Sequence, residues 1–404
     1  MDILRGQSNV ASMKKKRVLL IIETSRSYGR GLITGISHYA LEHGQWQIHF
    51  DDRGLLEEPS DWLRDWKGDG IISRTAIPSL AAILAKKKCP MVELHGFGTY
   101  HDGVTLFPEV QICNQSIGAM AAAHFLDRGF RHIGFYSSGN PWWSQTRSEA
   151  FVENLKQHDI SCHVYSGDST SPVSSHPVWD NRYEKSLKKW LKGLPKPIGI
   201  WAITNSQAVR VLEACQNMGY SVPEEVAVLG TSNDEIICNL VTPHLSSIDV
   251  NSSGIGYEAA KRLDMKMNGV VPDKPVVNIP PLEIITRQST DIVAIQEPDI
   301  AEALHLIRSR AFEGITVDEV VRGIGISRRS LERNFRRYFG RSPHDEIMRI
   351  RISRAMALLS TTDLSVSAIA EKSGFQNREY FIFAFRREAG ITPHRYRERL
   401  RTSK

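Results

Sequence analysis

The C-terminal part of this chain carries one helical pattern twice, with the two copies offset by 49 to 50 positions. The first copy runs from Thr316 to Gly325, continues from Ile326 through Phe335, and closes on Phe339, Gly340, Pro343 and His344. The second runs from Ser365 to Gly374, continues through Phe385, and closes on Ala389, Gly390, Pro393 and His394. Gly325 corresponds to Gly374, Phe335 to Phe385 and Pro343 to Pro393. A solenoid needs about three or more repeats to bury its faces. Two copies therefore restrict this region to a tandem pair of small helix-turn-helix units.

Each copy reads as two helices joined at a glycine. In the first, Thr316 and Glu319 have capping-box spacing, Val317, Val320, Val321 and Ile324 make one apolar face, and Gly325 suits a left-handed stop. Ser327 is placed to cap a second helix with the buried stripe Leu331, Phe335 and Phe339. Arg328, Arg329, Glu332, Arg333, Arg336 and Arg337 occupy its other faces. In the second copy Val366, Ile369 and Ala370 face inward, and Asn377 is placed to cap a helix burying Phe381, Ala384, Phe385 and Ala389. The pattern leaves Arg378, Glu379, Ile382, Phe383, Arg386 and Arg387 outside. A long helix from Pro343 to about Ser360 spaces the units, and Ser342-Pro343 and Thr392-Pro393 are N-cap plus proline starts.

Charge is concentrated in the same region. From Asp291 onward there are 21 Lys+Arg and 15 Asp+Glu, and the remainder is balanced, so the entire formal +6 lies there. Lys372 and Lys404 are its only lysines. Arginine suits forked contacts to guanine edges and phosphates, and a basic surface on a helix-turn-helix pair points to nucleic acid.

These residues resemble the AraC/XylS type of DNA-binding domain. The most specific run is Ile369-Ala370, Gly374-Phe375, Tyr380-Phe381, Phe385-Arg386-Arg387, Gly390, Thr392-Pro393 and Tyr396-Arg397. The resemblance implies two recognition helices entering successive major-groove segments of double-stranded DNA. It implies base-facing roles for Arg329, Glu332 and Arg333 in the first helix and for Arg378, Glu379 and Phe383 in the second. Arg328, Arg336 and Arg386 complete the DNA-facing set. Some relatives carry arginine at the position of Phe383, where a phenylalanine meets a thymine methyl or packs.

About 285 residues precede this module, enough for a regulatory domain. Lys14 to Arg17 followed by Val18 to Ile22 superficially has the form of a signal peptide, but the apolar run is five residues long and meets Glu23. It reads as a basic edge before a buried strand. No stretch approaches a membrane span. Cys89, Cys113, Cys162, Cys215 and Cys238 are widely spaced and lack a Cys-x-x-Cys pair, which points to reduced thiols in a cytoplasmic protein, with no zinc site and no cofactor.

Short apolar runs alternate with amphipathic segments in the βαβ rhythm of parallel sheets. Strands are expected over 18–22, 47–50, 70–73, 91–94, 132–136, 198–203 and 226–230, and helices over 31–43, 114–127, 144–158 and 207–218. Two similar lobes with a cleft suit this length better than one open sheet. Ligands of such sheets bind beyond the carboxyl ends of the strands. Gly29, Gly31 and Gly35 miss the dinucleotide fingerprint by spacing. Gly254-Ile-Gly256-Tyr-Glu-Ala259 fits it but lies late, with no acidic residue ending a following strand. Gly230 to Asp234 lacks the closing glycine of a nucleophile elbow. No enzymatic chemistry is expected.

Gly68-Asp69-Gly70-Ile71-Ile72, the run Trp143, Arg147, Ala150, Phe151, then Val222-Pro223-Glu224 and Leu229-Gly230 resemble the sugar-sensing domain of LacI/GalR-type repressors. That domain is similar to periplasmic sugar-binding proteins, and its fusion to an AraC-type module resembles the xylose operon regulator family. The resemblance implies an α/β two-lobed, type I periplasmic-binding-protein-like domain with parallel sheets, then an all-α double helix-turn-helix domain. The expected borders are a flexible segment 1–16, a sensing and dimerisation domain 17–285, a linker 286–297 and a DNA-binding domain 298–404. Strand ends nominate Arg26, Ser27 and Tyr28; Trp142, Trp143 and Arg147; Thr204 and Asn205; and Ser232 and Asn233 for the sugar. Tryptophan stacks on sugar faces, while arginine and amides pair with hydroxyls. The family usually has aspartate where Ser232 stands, which leaves a polyol as the ligand class. The implied mechanism is a homodimeric activator of genes for pentose catabolism, xylose first among the pentoses, on direct repeats, with lobes closing about crossings near Gln111, Ser246 and Asn278, and with RNA polymerase as a further partner. The competing reading is a constitutive or architectural DNA binder whose first domain takes a non-sugar ligand.

Overall fold

A computed structural model describes residues 15–43, 46–94, 98–99, 105–106, 109–138, 142–165, 181–292, 297–362 and 364–402. The expected flexible segment lies mostly outside them, and Lys16 already opens the first strand, Lys16–Ile21. The chain forms two compact units, one from 1–112 and 251–279, the other from 113–250 and 280–404.

In the first unit Trp46–Asp51, Lys16–Ile21, Gly70–Ser73 and Met91–Glu93 lie side by side in a parallel sheet. Alternation explains its double-sided burial. Val18, Leu20 and Ile22 enter one apolar cluster, while Leu19 and Ile21 enter the other. Strands buried on both faces read as continuous apolar runs, which made this one visible in sequence. Helix Ser27–His43 packs against Ser252–Met267 through glycines. A Cβ on Gly35 would fall 1.8 Å from the Ser253 carbonyl oxygen, and one on Gly256 would fall 2.0 Å from that of Leu32. Gly31, Gly35 and Gly256 thus serve close helix contact, which no larger residue permits.

The second unit holds six strands in the order Ile284–Ile285, Ser246–Ile248, Val226–Thr231, Ile198–Ala202, His132–Tyr136 and Cys162–Val164. All neighbours are parallel except the first pair. Helices Asn114–Leu126, Trp142–Lys156, Asn181–Gly193 and Asn205–Met218 belong to the same unit. The chain passes between units at 112–113, 250–251 and 279–280. Gln111 and Asn278 stand beside two of these crossings and bond each other at 2.9 Å. Ser246, expected at the third, lies instead within the strand Ser246–Ile248, and the chain leaves the unit only after Val250.

The stretch expected as a linker begins inside this unit. Gln288–Thr290 forms a 3-10 turn with Ser289 and Thr290 buried, and Ser289 Oγ donates to the Val228 carbonyl at 2.6 Å. Residues 293–296 lie outside the described ones.

From Pro298 the chain is helical: Pro298–Arg310, Val317–Ile324, Arg328–Phe339, Pro343–Thr361, Val366–Lys372, Arg378–Ala389 and Pro393–Thr402. The stops and caps follow the sequence reading. Thr316 and Glu319 make a full capping box, Gly325 is left-handed at φ 79°, and Ser327 and Asn377 each accept from a backbone N–H three residues on. Leu331, Phe335 and Phe339 from one copy and Phe381, Ala384 and Phe385 from the other meet Ile347, Met348, Ile352 and Leu359 of the spacer helix in one apolar core. The two copies are therefore joined rigidly. Ile382, expected outside, is half-buried against this core, because the helix uses three adjacent positions, 381, 382 and 385, to cover the spacer.

Candidate DNA interface and sensing site

The two second helices of the repeats present their polar faces outward. In Arg328–Phe339, Arg329, Arg333 and Arg336 are exposed. Arg328 is engaged within the module, 2.9 Å from Asp318 Oδ1 and 3.1 Å from Glu332 Oε1. The side chains of Arg328, Asp318 and Glu332 are 57%, 71% and 39% exposed, so these pairs are weak and give way to a stronger partner. In Arg378–Ala389, Arg378, Glu379 and Arg386 are exposed, and Phe383 is 62% exposed. Phe383 is mostly exposed, and its ring offers an apolar contact on an otherwise polar face. Each helix also ends on a left-handed glycine, Gly340 or Gly390, so both helices have defined lengths.

In the first unit, Ser27 and Tyr28 open helix Ser27–His43, and Arg26 precedes it, exposed. The Arg74 guanidinium lies 4.9 Å from the Tyr28 ring centroid and pairs with the buried Glu23 carboxylate. Glu93, also buried, accepts from Ser73 Oγ, from Thr75 N at 2.8 Å and from Thr75 Oγ1 at 2.7 Å. Glu23, Arg74, Thr75 and Glu93 were not singled out from sequence. All stand at or just past a strand's carboxyl end, and the rule that nominated Arg26 would have found them.

In the second unit, Arg147 projects from helix Trp142–Lys156 and is 5% exposed. Its Nε donates to Asn114 Oδ1 at 2.8 Å and its Nη1 to the Ile203 carbonyl at 3.4 Å. Trp142 and Trp143 open the same helix, and their side chains lie outside the described residues. Thr204 caps helix Asn205–Met218, its Oγ1 accepting from Gln207 N at 3.3 Å. Asn205 is buried, accepting from Ser247 Oγ at 2.7 Å and donating to Cys238 Sγ at 3.5 Å. These two residues hold the strand end in place. Ser232 and Asn233 both have positive φ, 92° and 40°, a turn that costs non-glycine residues energy and is typical of ligand sites. Asn233 N donates to Ser247 Oγ at 3.0 Å and its Oδ1 accepts from Arg287 Nη2 at 3.1 Å. Ser247 thus joins Asn205 to Asn233. Arg287 had no sequence signal, since its partner is 54 positions away.

Burial pushes the Cys162 and Cys215 thiols up to about 12, with little thiolate at neutral pH. Among the described residues no group of three or more His, Cys, Asp or Glu is disposed to hold a metal ion, and no helix is long and apolar enough to cross a membrane.

A parallel-sheet sensing domain of periplasmic-binding-protein type, followed by two rigidly joined helix-turn-helix units, defines a sugar-responsive, DNA-binding transcription regulator. Family models agree segment by segment: the XylR N-terminal domain over 17–114, the periplasmic binding protein-like domain over 122–290 and a helix-turn-helix domain over 320–399. The xylose operon regulatory protein of Haemophilus influenzae is 31% identical, over 94% of this chain and 98% of that protein. Its Escherichia coli K12 namesake is 29% identical, over 95% of this chain and 97% of its own. A solved structure of the xylose-binding transcription activator XylR matches with TM-score 0.57 and 28% identity, covering 96% of this chain and 98% of that one. The chain belongs to the xylose operon regulatory protein family.

Proposed function

We propose that this protein activates genes of pentose catabolism, with xylose as its effector. One observation carries the reading: the likeness to relatives named for the xylose operon runs through sensing domain and DNA module alike, in the same order. Sensing over 17–285 and DNA binding over 298–404 are part of it. Arg147 and the Ser232–Asn233 turn, with Trp142 and Trp143, are the proposed sugar contacts of the second unit. Arg26, Ser27 and Tyr28 are those of the first. Buried donors beside polar strand ends suit the many hydroxyls of a pentose. Arg329, Arg333 and Arg378 read base edges, Phe383 meets a thymine methyl, and Arg336 and Arg386 bind phosphates. The protein works as a cytoplasmic homodimer that presents four helix-turn-helix units to direct repeats and contacts RNA polymerase, and it carries out no catalysis.

Thermal melts of the full chain against pentoses and hexoses test the effector. Xylose is expected to raise the melting temperature more than any hexose. A chain that no monosaccharide stabilises would refute sugar sensing, and equal stabilisation by glucose would refute pentose preference.

A further inference from the structure

Asp127 directly follows helix Asn114–Leu126 of the sensing domain, and three arginines of the helical module converge on it. Arg341 Nη2 donates to Asp127 Oδ1 at 2.5 Å, Arg349 Nη1 lies 2.8 Å from Oδ2, and Arg308 Nη2 donates to the Asp127 carbonyl at 2.6 Å. Glu346, its side chain fully buried, accepts from Arg341 Nε at 2.6 Å and from Arg349 Nε and Nη2 at 3.0 and 2.9 Å. Burial by itself would raise the Glu346 carboxyl. The Arg349 hydrogen bond and charge, then the charges of Arg341 and Arg308, hold it below its ordinary value instead. Beside this cluster Arg131 Nη2 donates to the carbonyls of Arg337 and Tyr338 at 2.9 and 3.1 Å. These belong to the last turn of the first recognition helix, where carbonyls lack intrahelical donors and a cation is favoured.

On the sensing side the contacts continue without a break. Arg128 Nε donates to the Thr290 carbonyl at 2.8 Å and Nη2 to Thr286 Oγ1 at 3.0 Å. His124 is buried, with Nδ1 3.0 Å from Arg128 Nη1 and Nε2 2.9 Å from Thr290 Oγ1. Arginine only donates, so Nδ1 accepts and the proton sits on Nε2. Thr290 Oγ1 donates to Ser246 Oγ at 2.8 Å, and Ser246 Oγ donates to the Arg287 carbonyl at 2.9 Å. Arg287 in turn holds Asn233 at 3.1 Å. Apart from the exposed Arg128–Thr286 bond, these links join buried or half-buried groups, and neighbouring bonds in such a network strengthen one another, so the chain of bonds tends to rearrange as a whole.

We propose that this surface couples sugar to DNA: the state of the Ser232–Asn233 turn sets how the first recognition helix is docked, with Asp127 as the clamp. The proposal rests on the sugar-sensing reading and adds where the signal enters the DNA module. It places the transmission in a direct contact, so the stretch 293–296 need not carry it.

The test uses the full chain as wild type, Asp127→Asn and Arg131→Ala. Neither substitution touches the DNA-facing set. Operator affinity is measured by fluorescence anisotropy with and without D-xylose. The ratio of the two affinities, about 5- to 150-fold for coupled sites, should fall below about twofold in Asp127→Asn and drop clearly in Arg131→Ala. D-xylose should still raise the melting temperature of both variants, which separates a broken clamp from a broken sugar site. Hydrogen exchange gives a readout that needs no sugar: amides of 336–342 should exchange faster in Asp127→Asn than in wild type. An unchanged affinity ratio in both variants, or unchanged exchange over 336–342, overturns the clamp. A wild type indifferent to every sugar defeats the sensing reading, and the exchange measurement then still decides the clamp.

Discussion

Arg147 illustrates how one side chain is held by the fold before any ligand arrives. Its guanidinium donates to Asn114 Oδ1 and to the Ile203 carbonyl. Arg147→Ala should therefore cost about 1 to 3 kcal/mol of stability by leaving acceptors unpaired. It should also remove the xylose stabilisation, which at a hundredfold excess over Kd is about 2.7 kcal/mol. Melts with and without xylose separate the two effects, and a variant that xylose still stabilises fully would exclude Arg147 from the site. His124 sets a pH dependence. Burial first, then the charges of Arg128 and Arg308, hold its pKa well below 6.5. The unfolded chain thus binds a proton below about pH 6.5 that the folded chain refuses, so stability falls on acidification, by up to about 1.4 kcal/mol per unit. His124→Gln should flatten the melting temperature between pH 6.5 and 5.5, and an unflattened profile would show that other groups govern it. On the DNA face, Arg333→Ala or Arg378→Ala should cost about 1 to 3 kcal/mol at one base position. A uniform loss on all sequences, with a salt slope lower by about one unit, would reassign that arginine to a phosphate.

At the scale of elements, helix-turn-helix geometry was legible because caps, stops and apolar stripes are local. Thr316, Gly325, Ser327, Asn377 and Pro343 act within a few residues of themselves, and the structure uses each as its position implies. The strands Cys162–Val164, Ser246–Ile248 and Ile284–Ile285 went unread, as did helix Ser252–Met267. The strands are two or three residues long, too short for a period to register, and the helix opens with glycines that weaken its pattern. Those glycines matter through packing. Gly35→Ala would bring a Cβ to 1.8 Å from the Ser253 carbonyl oxygen, a clash with backbone that cannot rotate away. The expected cost is about 1 to 3 kcal/mol or more, read in chemical denaturation. A neutral substitution would mean that the two helices separate without loss.

For the whole molecule, the spacer helix Pro343–Thr361 has 19 residues, a span of about 28 Å, and one core fixes both recognition helices to it. Their DNA targets should lie on one face about 10 base pairs apart. A dimer should then protect two such pairs in direct orientation, with xylose changing occupancy of the second more than the first. Footprinting of the full chain on operators with inserted base pairs checks this. Five added pairs between the two targets of one protomer should abolish protection of one target, and unchanged protection would contradict the rigid spacer.

The sequence alone determined the architecture and nominated the residues of the proposed DNA face: a repeat of 49 to 50 positions, apolar periods and N-cap chemistry are short-range signals that survive without coordinates. It also marked the strand ends, and with them Arg147 and the Ser232–Asn233 turn. Which polar groups there are already committed only the tertiary structure decided. Asn205 is tied to Ser247 and Cys238, and Arg328 to Asp318 and Glu332. The contact of Asp127 with Arg341, 214 positions away, leaves no trace in the chain's local pattern. Two opposite charges attract wherever the fold brings them together, and only packing selects which pair that is.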